Sequence, residues 1–279
     1  MNEFQKVIKY LAIAFAIFLT VTIVTGIASG IVALVGVTTV SKEDVVNYNE
    51  SFDNVRSLLV EHGVGKLIIK STDSDKITVE GNQVTESFAA EKSLSGELRI
   101  KSKFNFWNMF GSTNTISKNT SITIYLPKDF TAEIVELNAG AGNVLIESLV
   151  TEKLEINAGV GDVYGEYIFA DKVSLDGGVG DITLENAQLN DVDIDAGVGN
   201  IDIEGKLTGD NDISAGVGNI KLDIIGSTDD YNMNIEKGVG DIYINGEKHG
   251  DLNWNNRTAK YSMEMDGGVG NIRINFTEQ

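Results

Sequence analysis

The chain lacks, or holds few of, several residue types that common functional sites require. Its 279 residues include no cysteine, one proline (Pro127) and two histidines. The absence of cysteine excludes disulfides, thiolate zinc sites, thiol nucleophiles and a lipidated N-terminal cysteine. Basic residues are also scarce, with 22 Lys and Arg against 41 Asp and Glu and a net charge of −19. Nucleic-acid binding needs a basic surface that neutralises phosphates, so we expect no nucleic-acid partner.

One long apolar run lies near the start of the sequence. Residues 10–41 contain no charged side chain, and about 20 apolar residues are enough to span a membrane as a helix. Lys6 and Lys9 precede the run, which predicts a cytoplasmic N-terminus and a domain outside the membrane. Cleavage after Ser29 is the alternative, although the apolar region of a signal peptide is normally only about 7–15 residues long.

We therefore divide the chain into two parts. Residues 1–41 are predicted to form a cytoplasmic stub and a transmembrane anchor. Residues 42–279 are predicted to form an extracytoplasmic domain with a loop insertion near 83–120.

Glycine, by contrast, is abundant and periodic. The motif Gly-Val/Ala-Gly occurs eight times, and from Gly140 to Gly216 successive motifs begin 19 residues apart. The next two steps are 22 and 30 residues, which predicts insertions of 3 and 11 residues there. Repetition at a fixed period indicates a solenoid. The glycines assigned to structural turns are Gly140, Gly142, Gly159, Gly161, Gly178, Gly180, Gly197, Gly199, Gly216, Gly218, Gly238, Gly240, Gly268 and Gly270.

Apolar and polar residues alternate on both sides of each motif. Apolar side chains stand three and five residues before the first glycine, as at Ile194 and Val192, and four and six residues after it, as at Ile201 and Ile203. This period of two is typical of strands. Each repeat is therefore interpreted as a strand, a glycine turn, a second strand and a connection of about eight residues.

Such a unit buries its apolar face only by stacking on its neighbours. The predicted fold is all-β, a parallel β-solenoid (β-helix) with coils of about 19 residues that follows one N-terminal transmembrane helix. The valine of each motif is expected to point inward at the corner, and the glycines to supply positive φ angles. Gly165 and Asn211 stand where an inward apolar residue is expected, which predicts local thinning or a bulge.

The glycine motif is compatible with a phosphate cradle, a calcium site or a turn. A dinucleotide or Walker loop is disfavoured because a strand follows and the third glycine and the Gly-Lys-Ser/Thr run are missing. Calcium prefers converging carboxylates, yet the next residue is Asn at 200 and 219 and Asp at 162 and 181. Asn and Asp both tolerate turn geometry and bond their own backbone two residues on. We therefore interpret the motif as a turn and expect no metal and no cofactor.

The densest aromatic cluster outside the apolar run lies at 103–112, "KFNFWNMFGS". Phe104, Phe106, Trp107 and Phe110 form a candidate loop for membrane or partner contact, since an exposed apolar surface marks interaction sites. The alternative is a hairpin or loop packed over the side or the N-terminal end of the solenoid.

The outward columns of the predicted solenoid carry the acidic residues. Stacking places carboxylates about 5 Å apart along each column, where like charges repel and create a negative potential. We interpret this surface either as a solvated face that keeps the rod soluble or as a binding surface for cationic peptides or diffuse divalent cations. The candidate ligand-surface residues are Glu147, Glu166, Glu185, Glu204, Asp223, Glu155, Asp176, Asp193 and Asp195.

No catalytic constellation is visible. Glycosidases use paired carboxylates. The acidic columns contain so many carboxylates that finding a pair does not distinguish an enzyme from a non-enzymatic protein. His62 lies beside the first glycine motif and His249 in a polar insertion, and neither has a nucleophile nearby in the sequence. We interpret both as surface or turn histidines and predict no enzymatic activity, a β-helix carbohydrate-active enzyme being the weaker alternative.

The repeats resemble the DUF4097-type adhesin family of bacteria, which includes LiaG-like envelope proteins. The resemblance is carried by "NAGAGNVLIES", "NAGVGDVYGEY", "DAGVGNIDIEG" and "SAGVGNIKLDI", by "ITIYLPKDF" at 122–130 and by "FNFWNMFG" before it. It covers residues 52–279. It implies a right-handed β-helix on the outer face of the membrane and supplies no catalytic residues.

The function expected from these features is that of a non-enzymatic cell-envelope protein, linked to envelope stress or to cationic peptides, that displays an acidic β-helix for binding or adhesion. The alternative is a structural spacer or a regulatory partner of a membrane signalling system. The expected partners are the membrane, through the N-terminal helix, and envelope components, cationic peptides or a membrane protein. Self-association is also expected, because the last strand at 271–279 shows no cap in the sequence and an open edge invites pairing.

Overall fold

The described part of the chain is almost entirely β-structure. The structure, a computed structural model, describes residues 45–102 and 120–278. The predicted anchor and the aromatic cluster at 103–112 lie outside the described residues. Within them, no helix has the length and apolar composition that a membrane crossing needs.

The described residues form 21 strands that all belong to one hydrogen-bonded sheet. The N-terminal strands are β1 (Val45–Phe52), β2 (Ser57–Val64), β3 (Lys66–Thr72), β4 (Ile77–Thr85), β5 (Ala89–Lys92), β6 (Glu97–Ser102) and β7 (Ser121–Pro127). The central strands are β8 (Ala132–Ala141), β9 (Val144–Ile146), β10 (Leu149–Val160), β11 (Val163–Glu166), β12 (Ile168–Val179), β13 (Ile182–Val198), β14 (Ile201–Val217) and β15 (Ile220–Ile225). A 3-10 helix, Thr228–Asp230, precedes β16 (Tyr231–Val239), β17 (Ile242–Ile244), β18 (Glu247–His249), β19 (Leu252–Trp254), β20 (Tyr261–Val269) and β21 (Ile272–Thr277).

The central strands pair in parallel, and most residues lie beside the residue 19 positions further along the chain; between β13 and β14 the offset is 18 residues from Ala187 to Asn190. Leu154 pairs with Val173 on one side of the Gly-Val-Gly corner, and Val163 pairs with Ile182 on the other. The inward side chains of these pairs are buried and form the core between the two sides. The chain therefore folds as an all-β solenoid whose coils stack at the period of the repeat.

Each coil presents three surfaces to solvent. We call the side before the Gly-Val-Gly corner the front face, the side after it the back face, and the side that leads on to the next coil the connecting face. The connection of about eight residues predicted between repeats is itself mostly β-strand in the central coils. Phe169 and Gln188 pair there, and β13 and β14 run unbroken through it for 17 residues each.

Two coils lie out of chain order. On the front face β20 lies between β14 and β16, and on the back face β21 lies between β15 and β17. At the other end, β2 lies between β6 and β8, and β3 lies between β7 and β9. The open edge predicted at 271–279 is therefore wrong, because β21 has a parallel partner on each side.

Antiparallel strands cover both ends of the stack. At one end β5 pairs with β6, while β4 pairs with β7 and β1. At the other end β19 pairs with β16, and β18 pairs with β17. Both β18 and β19 come from the segment where the repeat spacing predicts an 11-residue insertion. These strands pair with the outermost parallel strands, and this is a standard protection of a sheet against edge-to-edge association.

The two irregular inward positions are accommodated differently. A Cβ on Gly165 would lie 2.4 Å from Cδ1 of Ile168, so the side chain of Ile168 fills the space. Asn211 is buried, and its amide donates hydrogen bonds to the carbonyl oxygens of Gly209 (3.3 Å) and Ser262 (2.9 Å). The pairing of β13 with β14 shifts register immediately before Asn211, which is the bulge predicted there.

Candidate functional site

The Gly-Val-Gly corners are built by close approach of neighbouring coils. A Cβ on Gly178 would lie 2.2 Å from the carbonyl oxygen of Gly159, and a Cβ on Gly180 would lie 2.0 Å from that of Gly161. Gly180 also has a φ of 151°, and the last glycine of the other motifs is likewise in the positive region. The first glycine is thus required by contact, and the second by both contact and backbone conformation.

The valines of the motif point outward, so the prediction that they point inward is wrong. Val160, Val179, Val198 and Val217 are 57%, 51%, 43% and 37% exposed. The inward position at the corner belongs instead to the alanine that precedes the first glycine, as at Ala158. A small side chain fits this narrow corner, and the valine is left on the convex side.

The Asn/Asp column after each motif bonds between coils. The backbone N–H of Asp181 donates to Oδ1 of Asp162 (3.1 Å), that of Asn200 to Oδ1 of Asp181 (2.7 Å) and that of Asn219 to Oδ1 of Asn200 (3.0 Å). We expected a bond to the residue's own backbone instead. Because the column needs only one acceptor oxygen, Asn and Asp serve equally. No group of His, Asp and Glu in the described part of the chain is arranged to hold a metal ion.

Part of the predicted ligand surface lies on the back face and is already hydrogen-bonded. Glu185 accepts a hydrogen bond from the hydroxyl of Tyr164 (2.8 Å). Asp223 accepts one from the amide of Asn275 (2.7 Å) and pairs with Nζ of Lys221 (2.7 Å). These two partners hold the pKa of Asp223 below its usual value. Of the remaining back-face candidates, Glu166 lies beside Glu185, Glu204 lies beside Asp223, and Glu147 is exposed.

The front face brings a second group of carboxylates together in two adjacent columns. Along one column Asp193 pairs with Asp212, and Asp212 with Glu264. Along the other, Asp176 pairs with Asp195, which is followed by Ser214, Asp266 and Glu236. We call this group the acidic face, namely Asp176, Asp193, Asp195, Asp212, Glu236, Glu264 and Asp266.

The acidic face carries unpaired charge. Within the described residues, none of its seven carboxylates forms an ion pair, although eleven ion pairs occur elsewhere. Its one side-chain hydrogen bond runs from the hydroxyl of Ser214 to Asp195. Glu155 stands further along the first column, but it is paired with Lys153. The lysines of the solenoid therefore leave this surface uncompensated.

The crowding of carboxylates on the acidic face affects the pKa of Asp212. Partial burial raises the pKa above its usual value, and the negative charges of Glu264, Asp193, Asp195 and Asp266 raise it further. Neighbouring carboxylates thus oppose one another's ionisation. A bound cation would relieve this repulsion.

The sequence pattern places six of the seven residues of the acidic face in outward acidic columns, although only Asp176, Asp193 and Asp195 were taken as candidate ligand residues. Glu264 was missed. The signal for Glu264 was available, because it precedes its glycine motif by four residues, as Asp193 and Asp212 precede theirs. Its position beside Asp212 depends on the exchanged order of the last two coils.

The prediction that His62 is a surface or turn histidine is wrong, because His62 lies in the core. It lies in β2 with 2% of its surface exposed, and neither ring nitrogen has a hydrogen-bond partner among the described residues. Its neighbours in the same inward column are Ser102 and Ala139. Burial lowers the pKa of His62 to about 4, and the nearby backbone of Gly65 opposes this only in part. His249 lies half-buried in β18.

The family model described as "Toastrack DUF4097" matches residues 56–279. The chain belongs to the DUF4097 family. The match begins just before β2 and includes the acidic face, the corners and the connecting face of this DUF4097 protein.

Solved structures similar to the DUF4097 chain include three with adhesion-related names. They are a "putative cell adhesion protein" from Clostridium sporogenes (19% identity, 84% of this chain and 100% of that chain, TM-score 0.36), a "putative adhesin" from Bacteroides fragilis (18%, 84% and 98%, 0.41) and a "putative adhesin" from Parabacteroides distasonis (13%, 85% and 98%, 0.42). No curated protein matches the chain.

Proposed function

We propose that this DUF4097 protein is a non-enzymatic binding protein of the cell envelope, and that its acidic face binds cationic ligands. The observation that carries the proposal is the acidic face itself, where seven carboxylates lie in two adjacent columns without an ion pair among the described residues. The adhesin names of the similar structures agree with a binding role.

The spacing of the acidic face suits a polycation. Neighbouring carboxylates along a column are about 4.8 Å apart, which is less than the Debye length of about 8 Å at physiological salt. Their fields therefore add, and a ligand with several positive charges gains more than a single cation does. An extended peptide with lysine or arginine at alternate positions presents charges about 6.6 Å apart, which matches the spacing between the two columns, as from Asp193 to Asp195 on β13.

We propose further that residues 10–41 anchor the protein in the membrane and that the solenoid lies outside the cell. The uncharged run and the lysines before it support this orientation. In that position the acidic face meets cationic peptides before they reach the membrane surface.

The test compares two triple variants of the full chain in detergent micelles. Asp193→Asn/Asp212→Asn/Glu264→Gln neutralises the acidic face, and Glu147→Gln/Glu166→Gln/Glu204→Gln makes the same charge change on the back face. Calorimetric titration with an oligolysine peptide is expected to give about tenfold weaker binding for the first variant, at roughly 0.5 kcal/mol per lost contact. Its salt dependence is expected to flatten as well.

The back-face variant is expected to change the affinity by less than about twofold. Equal weakening by both variants would show that net charge alone attracts the peptide, and unchanged binding by both would refute the proposal. If the chain instead retains a membrane protein from solubilised membranes, and the acidic-face variant retains it equally, the regulatory-partner alternative is favoured.

A further inference from the structure

A groove runs along the connecting face, on a different side of the coils from the acidic face. Its volume is about 330 Å³, and it follows the direction in which the coils stack. Two outward columns of side chains line it. Neither column contributes to the acidic face.

The first column changes from apolar to polar along the stack. Val150 pairs with Phe169, Phe169 with Gln188, and Gln188 with Lys206. At about 4.8 Å per coil these four side chains span about 14 Å. The ring of Phe169 is 37% exposed, although its neighbours in the inward columns are buried. An aromatic ring at this position is available for contact with a ligand.

The second column is polar and partly fixed in place. Oδ1 of Asn190 accepts a hydrogen bond from the hydroxyl of Thr208 (2.9 Å), while Nδ2 of Asn190 donates to the carbonyl oxygen of Asp171 (3.1 Å). Glu152 and the carboxylate of Asp171 complete this wall of the groove.

Several polar groups in the groove are without partners. Among the residues that the structure describes, the side-chain heads of Glu152, Asp171 and Gln188 make no hydrogen bond and no ion pair. Lys206 makes neither of these, but its positive charge lies close enough to Asp230 to help lower the pKa of that carboxyl. Three kinds of group therefore face one groove: carboxylate acceptors, an amide and an ammonium donor. A ring offers its apolar face beside them.

We infer that this groove binds an uncharged oligosaccharide that lies along the stack. The C–H face of one pyranose ring packs on the exposed side chain of Phe169. The hydroxyl groups of this ring and of the neighbouring sugar units donate to Glu152 and Asp171 and accept from Gln188 and Lys206. The two carboxylates disfavour a polyanion. A polycation gains less here than at the acidic face, because the groove holds two carboxylates and an ammonium group, whereas the acidic face holds seven carboxylates.

The first experiment measures binding by the full chain in a detergent that has no sugar headgroup. The probes are tetramers of β-1,4-linked N-acetylglucosamine and of β-1,4-linked glucose, with a tetramer of galacturonic acid as the anionic comparison. Microscale thermophoresis is expected to detect at least one uncharged tetramer with a dissociation constant of millimolar or below. Binding of neither uncharged tetramer overturns the inference, as does preferential binding of the anionic one.

The second experiment locates the site. Phe169→Ala is expected to weaken binding about tenfold, equivalent to about 1.4 kcal/mol, and Gln188→Ala about fivefold. Phe169→Leu keeps an apolar side chain but no ring, so it is also expected to weaken binding while the fold is retained. The control is Trp254→Ala, which removes an aromatic residue of similar exposure (39%) from the capping strand β19.

Equal loss in Trp254→Ala, or unchanged binding in both Phe169 variants, overturns the assignment to the groove. The acidic-face triple variant is expected to bind the tetramer like the unmodified chain. The outcome here is therefore separate from that of the cationic-ligand proposal.

Discussion

The buried imidazole of His62 makes the stability of the solenoid depend on pH in a way that can be calculated. In the folded chain its pKa is lowered from 6.5 to about 4, chiefly because burial disfavours the charged form. In the unfolded chain the imidazole returns to its ordinary pKa of about 6.5. Between these two values the unfolded state binds a proton that the folded state does not. The free energy of unfolding must therefore fall as the pH falls through this window.

The size of the effect follows from the two pKa values. Each unit of difference is worth about 1.36 kcal/mol, so the full effect below both values is about 3.4 kcal/mol. At pH 7 almost none of this is lost. At pH 4.5 the loss has reached about 2.5 kcal/mol. This is a large part of the about 5–15 kcal/mol that stabilises a typical domain.

The assay compares the unmodified chain with His62→Ala at several pH values between 7 and 4.5. Alanine is the natural replacement, because Ala139 occupies the same inward column. Urea unfolding of the full chain in micelles, followed by far-UV circular dichroism, gives the free energy of unfolding of each protein. Many carboxylates also titrate here, but their contribution cancels in the difference between the two proteins.

We expect that difference to shift by about 2.4 kcal/mol between pH 7 and pH 4.5, with the unmodified chain losing more stability. His62→Ala also loses the packing of the ring, which can lower its stability at every pH. This constant loss does not change the pH dependence of the difference between the two proteins. If the two pH profiles run parallel within about 0.5 kcal/mol, His62 is not the neutral buried group described here. A pKa near 6.5 measured for His62 by NMR would contradict it directly.

The other predictions concern packing and one hydrogen bond. Gly180→Ala is expected to cost more than about 3 kcal/mol, because its Cβ would meet the carbonyl oxygen of Gly161 at 2.0 Å in a positive-φ conformation. Gly250→Ala, where a Cβ meets nothing within 4 Å, is the control and is expected to change stability by less than about 0.5 kcal/mol; equal costs in chemical denaturation would contradict the close-approach explanation. Tyr231→Phe is expected to cost about 1–2 kcal/mol, because the buried hydroxyl donates a 2.6 Å hydrogen bond to the carbonyl oxygen of Leu207, which would lose its partner. A Tyr231→Phe melting temperature equal to that of the unmodified chain would contradict this bond.

The coil period and the inward columns could be predicted from the sequence because both are local. Alternation of apolar residues around each glycine motif fixes which side chains face the core, and Ile194 and Ile201 are buried accordingly. A constant step of 19 residues fixes the register between coils, as the pairing of Ile182 with Ile201 illustrates. The corner valines were misjudged because strict alternation does not hold at a turn. The alanine before the motif is the last inward residue, and the first glycine and the valine after it are both exposed, as at Ala158, Gly159 and Val160.

The order of the coils could not be predicted from the same pattern. Every coil carries the same columns, so the sequence pattern permits Val217 to pair with either Val239 or Val269. In the structure Val269 lies between Val217 and Val239 and pairs with both. For the same reason the composition of the acidic face could not be predicted fully, since Glu264 lies beside Asp212 only in the exchanged order. The burial of His62 was not predicted, because a single polar residue beside the first glycine motif resembles a turn residue. Its alignment with Ala139, which would have indicated an inward position, is evident only when the coils are compared.

The exchanged order has a consequence for synthesis. Residues 261–277 leave the ribosome after residues 231–244, yet they lie between those residues and the rest of the stack. Strands β16 and β17 therefore cannot take their final positions until β20 and β21 have been translated. A chain interrupted before residue 261 would have a free edge on β14 and β15, and β16 and β17 would lack the parallel neighbour they have in the finished protein. Such an incomplete product exposes the unpaired strands that promote aggregation and removal by proteases, so the position of β20 and β21 makes a properly closed solenoid conditional on a fully translated chain.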